Sequence, residues 1–528
     1  MSTSFRHSMA WVHTWFGLVL GYVLMVCFFF GALSVFDREI DRWAIPETRF
    51  AAQPMPSFDS VLKPVFDRLG PHPDDIEATQ SRVIGPLPHP DTMPMQSLYA
   101  YTTHRDPVLR IGAEFGIPNK PKSAFDDHLH VHGWATIDPR SGAVLPEGRL
   151  KIGSEFYFPL HYSLHLTWLN LGYWIVGLAA LMMLAALVTG VVMHRKIFRE
   201  FFTVRPWRQT LRGTLDLHNL TGVVALPFHF FFAFTGLVIF AAIYLPVSDT
   251  LLKPLHDRHE VIEAERTGLA HEPAGIAAPL ASVDAMVAEA KRRWAARDMP
   301  GEVGYLFIDH LGDRNGYVSV YRAGNDQVAL VGQGVHFEAA TGRVIREDPP
   351  PNAVQSVQEF LTGLHLQHFR HWPLRWLYVV GGLLGSACIA TGFVFFVEKR
   401  RQQHARSGSQ GARVVEALAV TAVTGMVIAA VAILIVNRLL PTDFPAHWTL
   451  RSDLERGAFW FAWMLAALHA VLRTAAAPPA RWSPAWAEQC GAVAVLAVAA
   501  VLLNWVTTGD HLVRTLFVEI YWPVAGLD

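Results

Sequence analysis

The chain has 528 residues, of which 52% are hydrophobic and only 17% are charged, and its formal net charge is -1. Soluble domains carry roughly 25% charged residues, so this composition argues against a disordered chain and against a soluble nucleic-acid-binding protein. The three cysteines all fall within apolar runs, which excludes a disulfide scaffold and a paired-cysteine zinc site.

Seven apolar runs are long enough, or nearly so, to cross a bilayer as a helix of about 20 residues. They occupy residues 15–36, 166–193, 217–247, 376–397, 417–436, 457–472 and 489–508. The 457–472 run is the shortest, but the long side chains of Arg456 and Arg473 at its ends can reach the interface. The first run is too long for a signal peptide and is followed by charged residues in place of small ones, so we expect an uncleaved helix.

The distribution of Lys and Arg between these runs predicts the orientation of the chain. The loops that follow the second and fourth runs, residues 195–216 and 399–416, are rich in arginine and are therefore expected in the cytoplasm, as is the amino terminus. The long segments 37–160 and 248–362 would then lie on the outer face. This pattern is typical of a multi-pass protein of the bacterial inner membrane.

An internal repeat relates the first four apolar runs. The first and third predicted helices contain a histidine and two glycines at equal spacing, and the second and fourth predicted helices open with Leu-His and close with Thr-Gly. His13, Gly17 and Gly31 match His218, Gly222 and Gly236, and His165 matches His365. The outer segments also repeat, since residues 134–145 and 335–345 each read as a strand, a turn with glycine and a strand. The sequence therefore predicts two copies of helix, outer domain and helix.

The predicted fold is an all-α transmembrane bundle with two α+β outer domains and three additional helices at the carboxyl end. Its parts are a first helix within 1–36, an outer domain over 37–160, a second helix within 161–194, a basic loop at 195–216, a third helix within 217–247, a second outer domain over 248–362, a fourth helix within 363–398, a loop at 399–416 and a three-helix region over 417–528.

Four histidines at repeat-related positions are the main candidate ligands. An ionisable side chain in a spanning helix usually faces the bundle interior. Across a pseudo-twofold axis, His13 and His218 would meet near the cytoplasmic end, and His165 and His365 near the outer end. Facing histidines in an apolar bundle suit bis-imidazole ligation of two b-type haems. The alternative is that each histidine lies at the interface with a solvated ring.

Other histidines compete for these roles. His229 lies deep in the third run, His194 closes the second, and His161 lies one helical turn before His165, so each is a second-choice ligand. His128, His130 and His132 alternate along a predicted strand, where they could bind a metal on the outer side. A plain polar strand face opposite Leu129 and Val131 also explains these three histidines and is the interpretation we favour.

The order of these motifs resembles the PepSY-associated transmembrane family. The resemblance rests on His13-x3-Gly17, the outer Asp138-Pro-Arg-Ser-Gly142 turn and Leu164-His165, with a second copy at His218, Thr341-Gly342 and Leu364-His365. It implies PepSY-like periplasmic domains, and some members are ferric-siderophore reductases with b haems in the bundle. The family's histidines correspond here to His13, His165, His218 and His365. Glu338 departs from the pattern, because it stands where the first copy has Asp138.

The expected function is therefore electron transfer through haem b to a periplasmic acceptor such as ferric siderophore iron. No flavin or nicotinamide motif is visible, so the donor would be a quinol or a separate protein. The alternative is a non-enzymatic PepSY scaffold or regulator that binds a periplasmic peptide or protein. A permease is disfavoured because the apolar runs contain almost no charged residues. The expected surroundings are the lipid bilayer, with no nucleic acid as a partner.

Overall fold

The computed structural model describes most of the chain, and it is mostly helical with one large antiparallel sheet. The described residues are 3–81, 83–103, 106–123, 129–145, 148–194, 210–245, 258, 262, 266–330, 332–441, 448–478, 480–518, 520 and 522–528. The predicted basic loop at 195–216 lies largely outside these residues, as does His128.

The described residues form helices both in the candidate membrane spans and in the segments between them. In chain order they are α1 (Thr3–Val19), α2 (Gly21–Ser34), α3 (Asp37–Ala44), α4 (Lys63–Phe66), α5 (Pro73–Gln80), α6 (Phe158–Tyr162), α7 (Leu171–Met193), α8 (Thr210–Val224), α9 (Leu226–Ile239), α10 (Ala241–Tyr244), α11 (Val283–Ala296), α12 (Ala353–Leu366), α13 (Trp372–Ser407), α14 (Gly411–Val420), α15 (Met426–Leu439), α16 (Trp448–Ala476), α17 (Ala485–Thr508), α18 (Leu512–Phe517) and α19 (Trp522–Leu527).

The described residues contain seven candidate membrane spans when each of two bent helix pairs is counted as one span. By length and composition, five single helices qualify: Trp168–Met193, Trp372–Ser407, Gly411–Leu439, Arg451–Ala476 and Ala485–Thr508. The two bent pairs are α1 with α2 and α8 with α9, and they bend by 60° and 62°. These spans coincide with the seven apolar runs of the sequence, so the chain is a multi-pass membrane protein.

The two bends interrupt the first and third spans at corresponding places. They lie at Leu20 and Ala225, equally far along the chain from His13 and His218. Pro227 is the second residue of the helix after the second bend and cannot donate a backbone hydrogen bond, which explains that kink. The first bend has no proline, and Gly21 begins the helix that follows it.

The outer segments form one continuous sheet. Its strands are β2 (Met95–Thr103), β3 (Asp106–Gly116), β5 (His130–Ile137), β6 (Val303–Asp309), β7 (Tyr317–Arg322), β8 (Gly334–Glu338) and β9 (Val344–Glu347), in the order β5-β3-β2-β6-β7-β8-β9. A separate pair joins β1 (Val83–Ile84) to β4 (Lys122–Ser123). All neighbours in the large sheet are antiparallel.

The join between β2 and β6 differs from the two separate outer domains that the sequence suggested. Leu98 pairs with Ile308 and Ala100 with Leu306, so strands from 37–160 and 248–362 share one ladder. Each of these strands would otherwise be an open edge with unpaired backbone groups, and their pairing removes both edges. The two predicted outer segments therefore fold around one core.

The helices over this sheet cap each other reciprocally. The Asp284 carboxylate accepts the Phe58 backbone N–H at 2.7 Å, and the Asp59 carboxylate accepts the Val283 backbone N–H at 3.1 Å. Carboxylates at helix starts satisfy backbone N–H groups that have no partner within the helix. The helical segment that begins at Phe58 and α11 are thus held side by side over the apolar face of the sheet.

The two predicted glycine turns are present in the sheet. Gly142 and Gly342 have φ of +71° and +73°, a left-handed conformation that favours glycine. After Gly342 the chain continues as β9, whereas after Gly142 it makes only one bridge, between Ile137 and Val144. The turn at Glu338 has the same form as the turn at Asp138, since both residues accept the glycine N–H through their carbonyls.

The first two of the three carboxyl-terminal spans pack against the first span and the helical segment that precedes the second span. A buried cluster joins Phe30 and Tyr157 to Met426, Ile433 and Phe459. The Tyr157 hydroxyl also donates to the Ala430 carbonyl at 2.5 Å. The short α19 contacts α3 beside this cluster. The carboxyl-terminal region is therefore part of the same packed body as the histidine-bearing helices.

Candidate functional site

His13 and His218 face each other at one end of the bundle. They lie on α1 and α8, and their ring centres are 6.3 Å apart with an interplanar angle of 85°. With metal–nitrogen bonds of about 2.0–2.1 Å and ring centres about 1.1 Å behind the ligating nitrogens, two imidazoles that ligate one metal ion from opposite sides have centres about 6.3 Å apart. We call His13 and His218 the inner pair, and the distance between their ring centres suits such ligation.

The neighbouring helices fix both rings of the inner pair in the same way. His13 donates from Nδ1 to the Ala186 carbonyl at 3.0 Å, and His218 donates from Nδ1 to the Cys388 carbonyl at 2.8 Å. With the proton on Nδ1, the lone pair of each neutral ring is on Nε2. Metal-ligating histidines commonly donate their second ring nitrogen to a backbone carbonyl in this way.

A second pair, His161 and His365, lies at the other end of the bundle. The ring centres are 5.9 Å apart and the ring planes differ by 30°. His161 donates from Nδ1 to the Cys27 carbonyl at 2.8 Å. His365 Nδ1 lies 2.8 Å from the Thr235 hydroxyl, which itself donates to the Phe231 carbonyl and therefore accepts from the ring. Each Nε2 again carries the lone pair.

The predicted partner of His365 was His165, and the structure does not bring those two rings together as a pair. Leu164 and His165 have φ of +53° and +55°, so the helix that ends at Tyr162 does not continue through them. The His165 ring turns back toward the preceding helical turn, where its Nε2 lies 2.9 Å from the Phe156 carbonyl and its ring stacks on Phe156 at 4.8 Å. His161, a second-choice residue in the sequence, occupies the position opposite His365.

Glycines contact all four paired rings. A Cβ placed on Gly31 would lie 2.7 Å from His161 Nδ1, and one on Gly236 would lie 3.2 Å from His365 Cε1. At the inner pair, a Cβ on Gly190 or Gly392 would lie 3.4 Å from Cε1 of His13 or His218. Gly31 and Gly236 therefore accommodate histidine rings, whereas a Cβ on Gly17 would meet nothing within 4 Å.

We call His161 and His365 the outer pair, and an apolar cavity opens beside them. It contains about 1000 Å³ of atom-free space, part of it open to the surroundings. The lining includes His161 and His365 together with aromatic side chains from three spans, among them Phe28, Phe232 and Phe240. An apolar lining with two histidines suits a flat apolar group that carries a metal ion.

The other candidate histidines have separate surroundings. His229 is 2% exposed, packs edge-on against Phe28 with ring centres 5.5 Å apart, and its Nε2 makes no hydrogen bond to any described residue. His194 directly follows α7. His132 pairs with Asp75 at 3.0 Å, and His130 is the first residue of β5. Within the described part of the chain, no group of three or more His, Cys, Asp or Glu side chains could hold a metal ion.

A polar cleft of about 1160 Å³ lies between the sheet and the bundle. More of its lining side chains are basic than acidic, and the stacked rings of His72 and Trp134 lie on its wall, with centres 4.1 Å apart. Burial raises the pKa of Asp106 in the wall, but Arg110 and Arg38 outweigh this effect and hold the pKa below its usual range. The cleft therefore presents a surface with more cationic than anionic side chains.

Comparison with known proteins supports the motif assignment. Residues 10–399 match the family model described as the PepSY-associated TM region. This match confirms the family resemblance and ends before the three carboxyl-terminal spans. No curated protein matches the chain.

Proposed function

The chain belongs to the PepSY-associated TM region family, and from that premise we propose that it is a haem b-containing oxidoreductase that passes electrons across the membrane to a periplasmic acceptor. The main support for the proposal is that four histidines form two pairs and make equivalent hydrogen bonds. His13, His218, His161 and His365 form two pairs with centres 6.3 Å and 5.9 Å apart. Each donates from Nδ1 to an oxygen on a neighbouring helix.

These residues fit b-type haem in three respects. The tautomer fixed by each Nδ1 hydrogen bond directs a lone pair from Nε2, which is the atom an axial ligand uses. The pair spacing suits bis-imidazole ligation, and the cavity at the outer pair is apolar and large. Bound haem would supply one-electron chemistry, while the histidines and their hydrogen bonds would tune its potential.

The two pairs would serve opposite sides of the bilayer. His13 and His218 lie on helices that precede the bends, whereas His161 and His365 lie next to the outer segments. We assign the inner pair to the side that receives electrons from a quinol or cytoplasmic donor. The outer pair would deliver electrons toward the cleft beneath the sheet.

The proposed acceptor is ferric iron held by a siderophore. Reduction to Fe(II) weakens binding by hard oxygen ligands, and the metal can then be released. The surplus of basic side chains in the cleft favours an anionic or oxygen-rich acceptor. The proposal also places the chain in the inner membrane, with its outer segments in the periplasm.

The test is an optical spectrum of the purified protein, oxidised and then reduced with dithionite, with a pyridine haemochrome count. We expect about two b haems per chain with sharp reduced α bands. Single substitutions of His13, His218, His161 and His365 by alanine should each remove about one haem, whereas His89→Ala, at an exposed loop histidine, should remove none. Addition of a ferric siderophore should then reoxidise the reduced protein.

A featureless spectrum from protein produced with ample haem would contradict the proposal. The continuous sheet would then favour a scaffold that binds a periplasmic peptide or protein. Haem binding without reoxidation by ferric siderophores would retain the electron-transfer function and reject only the proposed acceptor.

A further inference from the structure

A basic pocket lies outside the histidine sites, where the family-matched segment meets the carboxyl-terminal spans. It opens where the ends of α15 and α17 meet the segment after α3, and it contains about 830 Å³ of atom-free space. Five arginines line it: Arg49, Arg149, Arg438, Arg451 and Arg514. We call it the Arg438 pocket.

Four of these arginines have carboxylate partners. Asp510 pairs with Arg49 at 2.6 Å and with Arg514 at 3.2 Å, Glu47 pairs with Arg149 at 2.5 Å, and Glu455 pairs with Arg451 at 3.3 Å. One carboxylate thus serves two guanidinium groups. The acidic side chains of the lining are already committed to these pairs.

Arg438 is different because it makes no hydrogen bond or ion pair with any described residue. It is 9% exposed, and its Nε and Nη2 atoms are buried without a hydrogen-bond partner. Its guanidinium lies over the Trp43 ring, 4.4 Å from the ring centre. The nearby Asp528 accepts the Trp43 indole N–H at 2.7 Å and does not bond to Arg438.

A buried guanidinium without a hydrogen-bonded carboxylate is unfavourable, because carboxylates that act on it only at a distance offset little of its desolvation. Trp43 offsets part of this cost through a cation–π contact. The remaining N–H groups and the surplus of arginines favour an anion with several acceptor oxygens. Guanidinium groups match phosphate in both charge and planar geometry.

We propose that the Arg438 pocket binds a phosphate group, and that the phosphate is the headgroup of an anionic phospholipid. The pocket lies at the ends of two spans, where headgroups are located. Leu439 and Val506 are 61% and 78% exposed on those spans and can contact acyl chains. Free inorganic phosphate shares the same chemistry and is the other source that the test must distinguish. The proposal does not depend on haem.

The test compares phosphatidylglycerol with inorganic phosphate, each added to delipidated full-length protein in detergent while thermal unfolding is followed. Phosphatidylglycerol should raise the Tm of the wild type and should raise that of Arg438→Gln much less, with an apparent Kd weakened about ten-fold or more. The matched control is Arg292→Gln, at a side chain that is 73% exposed on the outer helix α11. This control should respond like the wild type.

The possible outcomes separate the sources. Stabilisation by inorganic phosphate as strong as by the lipid, and lost in Arg438→Gln, would overturn the lipid assignment and identify free phosphate as the ligand. Equal responses of Arg438→Gln and wild type to both probes would overturn the site. If Arg438→Gln does not fold, Arg438→Lys replaces it; lysine keeps the charge but lacks the planar fork, so lipid binding as tight as in the wild type would again overturn the site.

Discussion

At the residue scale, His161 and His165 lie only four residues apart, but their rings contact different parts of the protein. His161 donates to the Cys27 carbonyl and stands 5.9 Å from His365, whereas His165 is tied to Phe156. His161→Ala should therefore lower the haem content from about two to about one per chain, while His165→Ala should leave it near two. The pyridine haemochrome count decides between them. The reverse result would assign the outer ligand to His165.

Gly31 provides a second prediction at this scale. A methyl group there would lie 2.7 Å from His161 Nδ1, so Gly31→Ala must displace the ring and weaken its bond to Cys27. We expect a loss of about 1–3 kcal/mol in the free energy of unfolding, together with a loss or shift of the outer haem signal. Thermal unfolding and reduced spectra measure these two effects.

Gly17→Ala is the matched control for that substitution. A Cβ at Gly17 would meet nothing within 4 Å, and alanine favours a helix over glycine by about 1 kcal/mol. This variant should be as stable as the wild type or slightly more stable, with an unchanged spectrum. Equal losses in both variants would show that the close contact at Gly31 is not the cause.

The sequence contains most of the site but not its pairing. His13, His218 and His365 follow from the repeat, but the Leu-His dipeptide shared by residues 164–165 and 364–365 favoured His165, whereas His161 is the ring that lies opposite His365. His365 lies 26 residues before Thr391, and His165 and His161 lie 24 and 28 residues before Thr189, so spacing alone cannot choose. Leu164 and His165 have left-handed backbone conformations that change the direction of the chain here. The hydropathy of the sequence does not predict such a change.

At the element scale, a buried ion pair joins α3 to α13. Arg375 donates from Nη1 and Nη2 to the two oxygens of Glu39 at 2.8 Å and 2.9 Å, and both residues are almost fully buried. Glu39→Gln leaves the buried guanidinium without its counter-charge and should cost about 3–5 kcal/mol of unfolding free energy. Chemical unfolding in detergent is the measurement.

Two comparisons identify the cause of that loss. Asp453→Asn breaks an exposed pair with Arg456 on the same side of the protein and should change stability by no more than about 1 kcal/mol. The double variant Glu39→Leu/Arg375→Met replaces the buried charges together and should recover most of the loss. A double variant as unstable as Glu39→Gln would indicate that packing, and not the unpaired charge, is responsible.

The elements differ in how far their own sequence determines them. All seven spans follow from runs of apolar residues, since length and composition are sufficient. Pro227 is a residue from which one bend can be predicted, whereas no proline lies near the other bend at Leu20. The pairing of β2 with β6 joins residues about 200 positions apart, and strand patterns do not specify a distant partner.

At the scale of the whole molecule, the two halves of residues 10–399 meet twice. They meet at the histidine pairs within the bundle and again at the β2–β6 ladder outside it. A cluster of charges next to the membrane links these two levels, because Asp41 and Arg38 of α3 pair with Arg110 and Asp106 of β3. The position of the sheet relative to the outer histidine pair therefore depends on this cluster.

The cluster predicts how docking of the sheet depends on pH. Asp106 accepts from Arg110 at 2.9 Å, and its folded-state pKa lies below the unfolded value of about 3.9. Its contribution is therefore complete above about pH 4 and is lost as the pH falls through the folded pKa. Asp41 shares Arg110, but burial raises its pKa, so its own titration contributes with the opposite sign at higher pH.

Asp106→Asn isolates this contribution, because Asp41 remains in both proteins. The Tm difference between wild type and Asp106→Asn should stay nearly constant from pH 7 to pH 5 and shrink below about pH 4. Hydrogen exchange of β3 should increase over the same range in the wild type, because the strand loses its contact with α3. A difference that already disappears above pH 5 would mean that burial, and not the guanidinium groups, controls Asp106, and the sheet would then need another anchor to the bundle.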